Sequence, residues 1–326
     1  MDNLNGYKAF EPGMIYKGKQ YQENTDYEEE GGEICEKGMM HYCVNPFDVL
    51  NFYPLVNDSG KVSDFVAVKA LEKPVEGDNG KFATRKLHIG VKLGLPGFIK
   101  ACIDYLKEET IGKAPNSTGS SGYSAQIGSS GDYAKIGSSG NSAQIGSSGD
   151  YAQIGSSGHY AKIGSSGASA QIGSSGNSAQ IGSSGYSAKI GSSGASAQIG
   201  SSGHYAKIGS SGASAQIGSS GDYAQIGSSG YSAQIGSSGY SAKIGSSGDY
   251  AKIESAGEDS VICCAGHGSA VNAKAGSWIT LAEWEYSEAK NEYVPKCVKT
   301  EYVDGERIKA DTWYKLIDGE FTEVSP

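Results

Sequence analysis

The chain has 326 residues, 37% of them hydrophobic, and a formal net charge of −9, which is enough for two or three domains. The acidic balance argues against direct nucleic-acid binding, since a phosphate-tracking protein carries a lysine and arginine stripe. No apolar run approaches the roughly 18 residues of a membrane helix, and Met1-Asp2-Asn3-Leu4-Asn5-Gly6 has neither the basic nor the apolar region of a secretory signal. Six cysteines in this length do not make a dense disulfide scaffold, so reduced thiols and a cytoplasmic setting are expected.

Residues 1–112 have ordinary globular composition and predict a small α+β domain. Tyr7–Phe10, Asp64–Leu71 and Lys86–Val91 read as strands. Asn45-Pro46-Phe47-Asp48 has the logic of a helix start: a capping side chain, a proline at the first position, and an acid at the positive end. That helix is short and stops before Pro54. A second helix is predicted from Leu95 to about Glu109, with Phe98, Ile99, Cys102, Ile103 and Leu106 on one apolar stripe.

A linker, 113–118, leads to fifteen uninterrupted copies of Gly-Ser-Ser-Gly-x-[Ser/Tyr]-Ala-[Gln/Lys]-Ile, from Gly119 to Ile253. Two degenerate units, Glu254–Ile262 and Cys263–Val271, keep the period, so the array extends over 119–271. A fixed short period is the signature of a solenoid. Alanine at position seven and isoleucine at position nine are two apart and share a strand face. The reading is a five-residue strand with Ala and Ile inward, and a Gly-Ser-Ser-Gly turn whose glycines supply positive φ or close stacking. Two units per coil make a two-sided β-roll, and three make a three-sided β-helix. The two-sided form is preferred because one Ala and one Ile per strand fill only a thin core.

The repeat holds six lysines and four aspartates, so it is about +2 and the remainder carries −11. Calcium rolls of this period need aspartate at position six. Here position six is always Ser or Tyr, and Asp occurs only at position five, in four units, so no metal or other cofactor is expected. The informative positions are five, six and eight. With two units per coil, Tyr133, Tyr151, Tyr205 and Tyr223 fall on even units, as do Lys135 and Lys207. These six residues are the candidate partner-binding surface. The other reading of them is solubilising decoration, with stacked tyrosines supporting the sheet.

Residues 272–326 predict an antiparallel β cap, with strands at Trp278–Trp284, Val294–Tyr302, Thr312–Leu316 and Glu320–Val324. Asp304-Gly305 and Asp318-Gly319 serve as turns. A solenoid needs such a cap because its last coil is an open sheet edge. Trp278, Trp284 and Trp313 are expected in the cap core, and Cys263-Cys264 in a degenerate turn. The remaining candidate chemistry is Cys35, His41 and Cys43, which lack a clear fourth zinc ligand. Buried cysteines beside a hydrogen-bonded histidine, or a Cys–His nucleophile pair, are the other readings.

The two ends carry recognisable motifs: Gly6-Tyr7-Lys8-Ala9-Phe10, Gly32-Glu33-Ile34-Cys35, His41-x-Cys43 and Asn45-Pro46-Phe47-Asp48-Val49-Leu50-Asn51-Phe52-Tyr53 at one end. At the other are Trp278-Ile279-Thr280-Leu281-Ala282-Glu283-Trp284 and Val303-Asp304-Gly305-Glu306-x-Ile308-Lys309-x-Asp311-Thr312-Trp313-Tyr314. They resemble an uncharacterised family of phage and prophage proteins in which similar ends flank short Gly/Ser/Tyr/Ala repeats. Met40 stands where the family pattern has an aromatic. The resemblance implies a phage origin inside a bacterial host and no established activity.

The expected function is therefore non-enzymatic. A phage-derived solenoid would bind a host protein and inhibit a defence or nucleic-acid enzyme. The alternatives are a structural spacer or virion component, and an enzyme within residues 1–112. Self-association into a homo-oligomer stays open.

Overall fold

The computed structural model describes residues 4–30, 38–57, 60–77, 80–110 and 117–325. Cys35 lies outside them. The N-terminal domain contains strands β1 (Asn5–Phe10), β2 (Ile15–Tyr16), β3 (Lys19–Gln20), β4 (Thr25–Glu28), β5 (Met40–Cys43), β6 (Asp64–Ala70), β7 (Val75–Glu76), β8 (Lys81–Thr84) and β9 (Lys86–Lys92). Seven of them form one antiparallel sheet in the order β4-β9-β6-β1-β5-β8-β7. Asn45 caps a 3-10 helix, Pro46–Asn51, by accepting a hydrogen bond from the Phe47 amide at 3.0 Å. Helix α1 (Gly94–Thr110) follows β9.

The repeat forms a two-sided parallel β-solenoid. Its strands, β10 (Ser117–Ser120) to β27 (Ala270–Ala273), alternate between two sheets, nine in each. Neighbours within a sheet are 18 residues apart, so each coil holds two units and isoleucine stacks on isoleucine, as in Ile145↔Ile163. The strand differs from the one read off the sequence. It spans positions eight, nine, one and two, as in Lys135–Ser138, straddling the boundary between units. The turn occupies positions three to six. Its positive φ falls at position six, at Tyr133 (56°) and its equivalents, and at none of the glycines of the fifteen exact units.

Position-four glycines instead allow coil contact: a Cβ on Gly194 would sit 2.0 Å from the Gly176 carbonyl oxygen. Three positions face inward, namely Ala at seven, Ile at nine and Ser at two. Ser165, Ser183 and Ser201 are wholly buried, and their hydroxyls lack hydrogen-bond partners. The core is thus thin and partly polar, and stability must accumulate over many coils.

At the C-terminal end each sheet closes with its own hairpin. One sheet continues through β28 (Trp278–Ser287), parallel to the last repeat strand, and antiparallel β29 (Glu292–Tyr302). The other continues through β30 (Trp313–Ile317) and β31 (Glu320–Glu323). Val303, Ile308, Tyr314 and Leu316 seal the end of the isoleucine core. Trp313 is buried, but Trp278 is 49% exposed, and Trp284 is part-buried, its indole N–H donating to the Ala265 carbonyl at 2.9 Å. None of the three tryptophans is therefore cap core: Trp313 stands on the face of β30 opposite the inward Tyr314 and lies against the N-terminal domain, where a Cβ on Gly60 would sit 3.0 Å from its ring. Cys263 and Cys264 lie in a strand, one exposed and one buried, because the degenerate unit keeps the strand register.

The N-terminal domain packs along the flank of the solenoid. The apolar stripe expected on α1 divides between two surfaces. Phe98 stacks on Phe65 of the domain's own sheet at 3.8 Å. Leu95, Ile99, Ile103 and Leu106 meet the row Gly164, Gly182, Gly200 and Gly218 of one solenoid sheet. Asp48 forms a part-buried ion pair with Lys162, and the Leu55 amide donates to Gln216 at 3.1 Å.

Candidate interaction face

One solenoid sheet is therefore covered and the other is bare. Glycine at position one has no side chain, so each sheet carries a shallow trough down its middle. On the covered sheet α1 fills it, with its axis along the rod. From Leu95 to Leu106 the helix advances about 16 Å at 1.5 Å per residue. The three coil steps from Gly218 back to Gly164 span roughly 14 Å at the strand spacing. Side chains three or four residues apart on a helix climb about 4.5–6 Å, which brackets the spacing of about 4.8 Å between coils. The helix can thus set close to one aliphatic knob on each glycine.

On the bare sheet the same trough runs past Gly137, Gly155, Gly173, Gly191, Gly209, Gly227 and Gly245. A Cβ added at any of them would meet nothing within 4 Å. The opening has a volume of about 1040 Å³ and is walled by Lys135, Gln153, Gln171, Lys189, Lys207, Gln225 and Lys243 at position eight. No strand residue of this stretch is acidic, and among the described residues none of these four lysines forms an ion pair. On the covered sheet, by contrast, Lys162 has taken Asp48 as its partner.

The trough has a blind end. In register with it, Cys263 and Thr280 replace glycine, and Thr280 shares a hydrogen bond with Thr300 at 2.9 Å. The lysine row continues there as Val261, Trp278 and Tyr302, all substantially exposed. The Trp278 and Tyr302 rings lie 5.2 Å apart. The bare face therefore runs from a basic, polar stretch into an apolar one.

All six sequence-predicted residues lie on this side. Lys135 and Lys207 wall the trough. Tyr133, Tyr151, Tyr205 and Tyr223 stand in the turns that lead into the bare strands, two residues before position eight. Tyr133 stacks on Tyr151 at 5.0 Å and Tyr205 on Tyr223 at 5.0 Å. The structure adds Tyr186, tilted against Tyr205, and Tyr240, edge-on to Tyr223, so the second pair becomes a row of four rings in contact. Tyr186 and Tyr240 stand at position five and escape a count of position six alone. Counting both positions would have found them, because six of the seven even units carry a tyrosine at one or the other.

Position five also has a structural job. Asp132, Asp150, Asp222 and Asp249 each accept a backbone N–H one coil further on, at 2.7–2.9 Å. His159 does the same through Nδ1 at 3.1 Å.

His41 and Cys43 belong to a separate pocket in the N-terminal domain. Burial pushes the Cys43 thiol up to about 12, opposite to the shift that activates a nucleophilic cysteine. Burial, aided by Lys81 and Lys8, brings His41 down to about 4. Among the described residues no three metal-ligating side chains cluster.

No curated protein and no solved structure matches the chain. Residues 4–101, the sheet together with the first half of α1, match an uncharacterised domain family, described as Domain of unknown function (DUF7666).

Proposed function

We propose that the protein is a non-enzymatic, phage-derived binding solenoid whose bare sheet docks a helix of a host protein in the bacterial cytoplasm and thereby inhibits it, a defence or nucleic-acid enzyme being the intended class. The observation that carries the reading is internal. This chain fills one glycine trough with a helix of its own and leaves the equivalent trough open. The occupant is an amphipathic helix with aliphatic residues every three or four positions and carboxylates along its flanks. The aliphatic residues suit the glycines, and the carboxylates suit Lys135, Lys189, Lys207 and Lys243. The trough from Gly137 to Gly245 is roughly 29 Å long at the coil spacing, which a helix of about 20 residues spans. Trp278 and Tyr302 at its end supply the aromatic anchor that interfaces favour.

The test fills the trough. Gly173→Leu, Gly191→Leu and Gly209→Leu together place side chains in open space and should leave folding intact. Wild type should bind a synthetic helix bearing leucine at the spacing of Leu95, Ile99, Ile103 and Leu106 with glutamates on its flanks, and should capture a host protein. The filled variant should lose both, as should a variant lacking four units in register. Equal binding by the filled variant sinks the reading. Full biological activity after deletion of the four units favours a spacer instead.

A further inference from the structure

A second site lies in the N-terminal domain, away from the solenoid face. A cavity of about 250 Å³ opens between β1, β2, β5, β8 and the end of the 3-10 helix. Lys8, Tyr16, His41, Phe52, Tyr53 and Lys81 are among its lining residues, and among the described residues no carboxylate is. Lys8 is only 4% exposed, and among the described residues its ammonium has one oxygen partner, the His41 carbonyl at 3.0 Å. Otherwise it faces aromatic rings, 4.6 Å from the centre of Tyr16 and 5.8 Å from that of Tyr53. Lys81 sits 4.8 Å from the Phe52 ring centre at the same cavity. His41 Nε2 is buried and has no hydrogen-bond partner among the described residues.

A buried ammonium without a counter-charge is costly. A second cation and an orphaned imidazole nitrogen at the same cavity add to that cost. One incoming group relieves all three, an anion. The rings of Tyr16, Phe52 and Tyr53 supply walls for a flat apolar body behind it. We infer that this cavity binds a small flat organic anion, an aryl phosphate or carboxylate, whose charged group meets Lys8, Lys81 and His41 while its ring lies against the tyrosines.

Among the charged and titratable groups around Lys8, Lys17 and Lys81 oppose its charge while Cys43 favours it, and Asp48 of the 3-10 helix, which acts on Cys43, is paired with Lys162. Lys17 follows β2, Lys81 is on β8, and His41 and Cys43 are on β5. Tyr16 and Tyr53, whose hydroxyls interact with each other, complete the wall. Burial lowers the Lys8 ammonium to about 8, with Lys17 and Lys81 adding to the shift. Binding should therefore weaken as pH rises past that value.

Phenyl phosphate is the probe, benzyl alcohol its uncharged counterpart, and the His41 imidazole resonances of the full chain the readout. Phenyl phosphate should bind saturably and raise the pH at which His41 titrates, since an anion favours the imidazolium. Benzyl alcohol should bind at least tenfold more weakly, and Lys8→Met should lose at least tenfold in affinity for the phosphate, because the charge partner is gone. Lys69→Met, outside the cavity, should leave binding unchanged. The inference is overturned if millimolar phenyl phosphate leaves the wild-type His41 resonances in place, or if Lys8→Met, checked for its fold by circular dichroism, binds as tightly as wild type. Binding here is independent of the trough-filling substitutions, so the two proposals fail separately.

Discussion

Alanine substituted for glycine at three places within ten residues separates what the repeat's glycines do. At Gly194 the new Cβ would lie 2.0 Å from the oxygen and 2.5 Å from the carbon of Gly176. Those atoms are backbone of the preceding coil and cannot rotate away. Relief requires the coils to part, which breaks ladder bonds such as Ser193 N–H to the Ser174 carbonyl at 3.0 Å. The expected loss is about 3 kcal/mol or more, at or above the upper end of what core overpacking costs.

At Gly191 the Cβ meets nothing within 4 Å and φ is not positive. Alanine there should stabilise by about 0.5–1 kcal/mol through the unfolded chain. At Gly200, under α1, the Cβ would lie 3.0 Å from Ile99 Cδ1. That atom is the end of a flexible side chain, so a cost of about 1 kcal/mol is expected. Urea unfolding of the full chain, followed by far-ultraviolet circular dichroism, should rank the midpoints Gly191→Ala, wild type, Gly200→Ala, Gly194→Ala from highest to lowest. The account of coil contact fails if Gly194→Ala lies within 0.5 kcal/mol of wild type, a margin about that of an ordinary surface substitution.

Three further outcomes follow from the same structure. Ser183→Ala removes a buried hydroxyl that has no partner and should raise stability by about 1 kcal/mol, measured by urea midpoint. A decrease would mean that the hydroxyl is satisfied. Lys8→Met should stabilise the N-terminal domain at pH 7 by on the order of 3 kcal/mol, since the folded ammonium is lowered from 10.5 to about 8. The unfolded chain binds the extra proton between those values, so wild-type stability recovers as pH rises through that window, and the difference between the two proteins should shrink there. A difference constant with pH would refute the burial argument. Removing residues 278–326 uncovers two sheet edges and the end of the isoleucine core, and should give aggregation by light scattering. A monodisperse product with an unchanged melt would show that the hairpins do not cap.

The sequence by itself determined the architecture. An isoleucine every ninth residue can be buried only if the chain returns to the same place each coil, and a core of one Ile and one Ala per strand fits only two close sheets. The caps' strands were legible from alternation and turn residues, and α1 from its apolar spacing. The strand's phase within the unit was not, because serine and glycine have no strong strand signature. Only stacking shows that Ser at position two points inward while Gly at position one stays outside.

Position six was misjudged for a related reason. Its left-handed backbone is imposed on Ser and Tyr by the return of each coil, whereas glycine, the residue that adopts it most readily, is needed at position four for contact. The lysine and tyrosine bias toward even units was visible as a count, but a count cannot say which sheet is free. The tertiary structure decided that by laying α1 along the odd-unit sheet. Leu95, Ile99, Ile103 and Leu106 meet glycines more than fifty residues away, and no local pattern encodes that contact. The pocket around Lys8 likewise joins residues from β1 to β8. Its cost and its use both come from what surrounds the ammonium, which only the fold brings together.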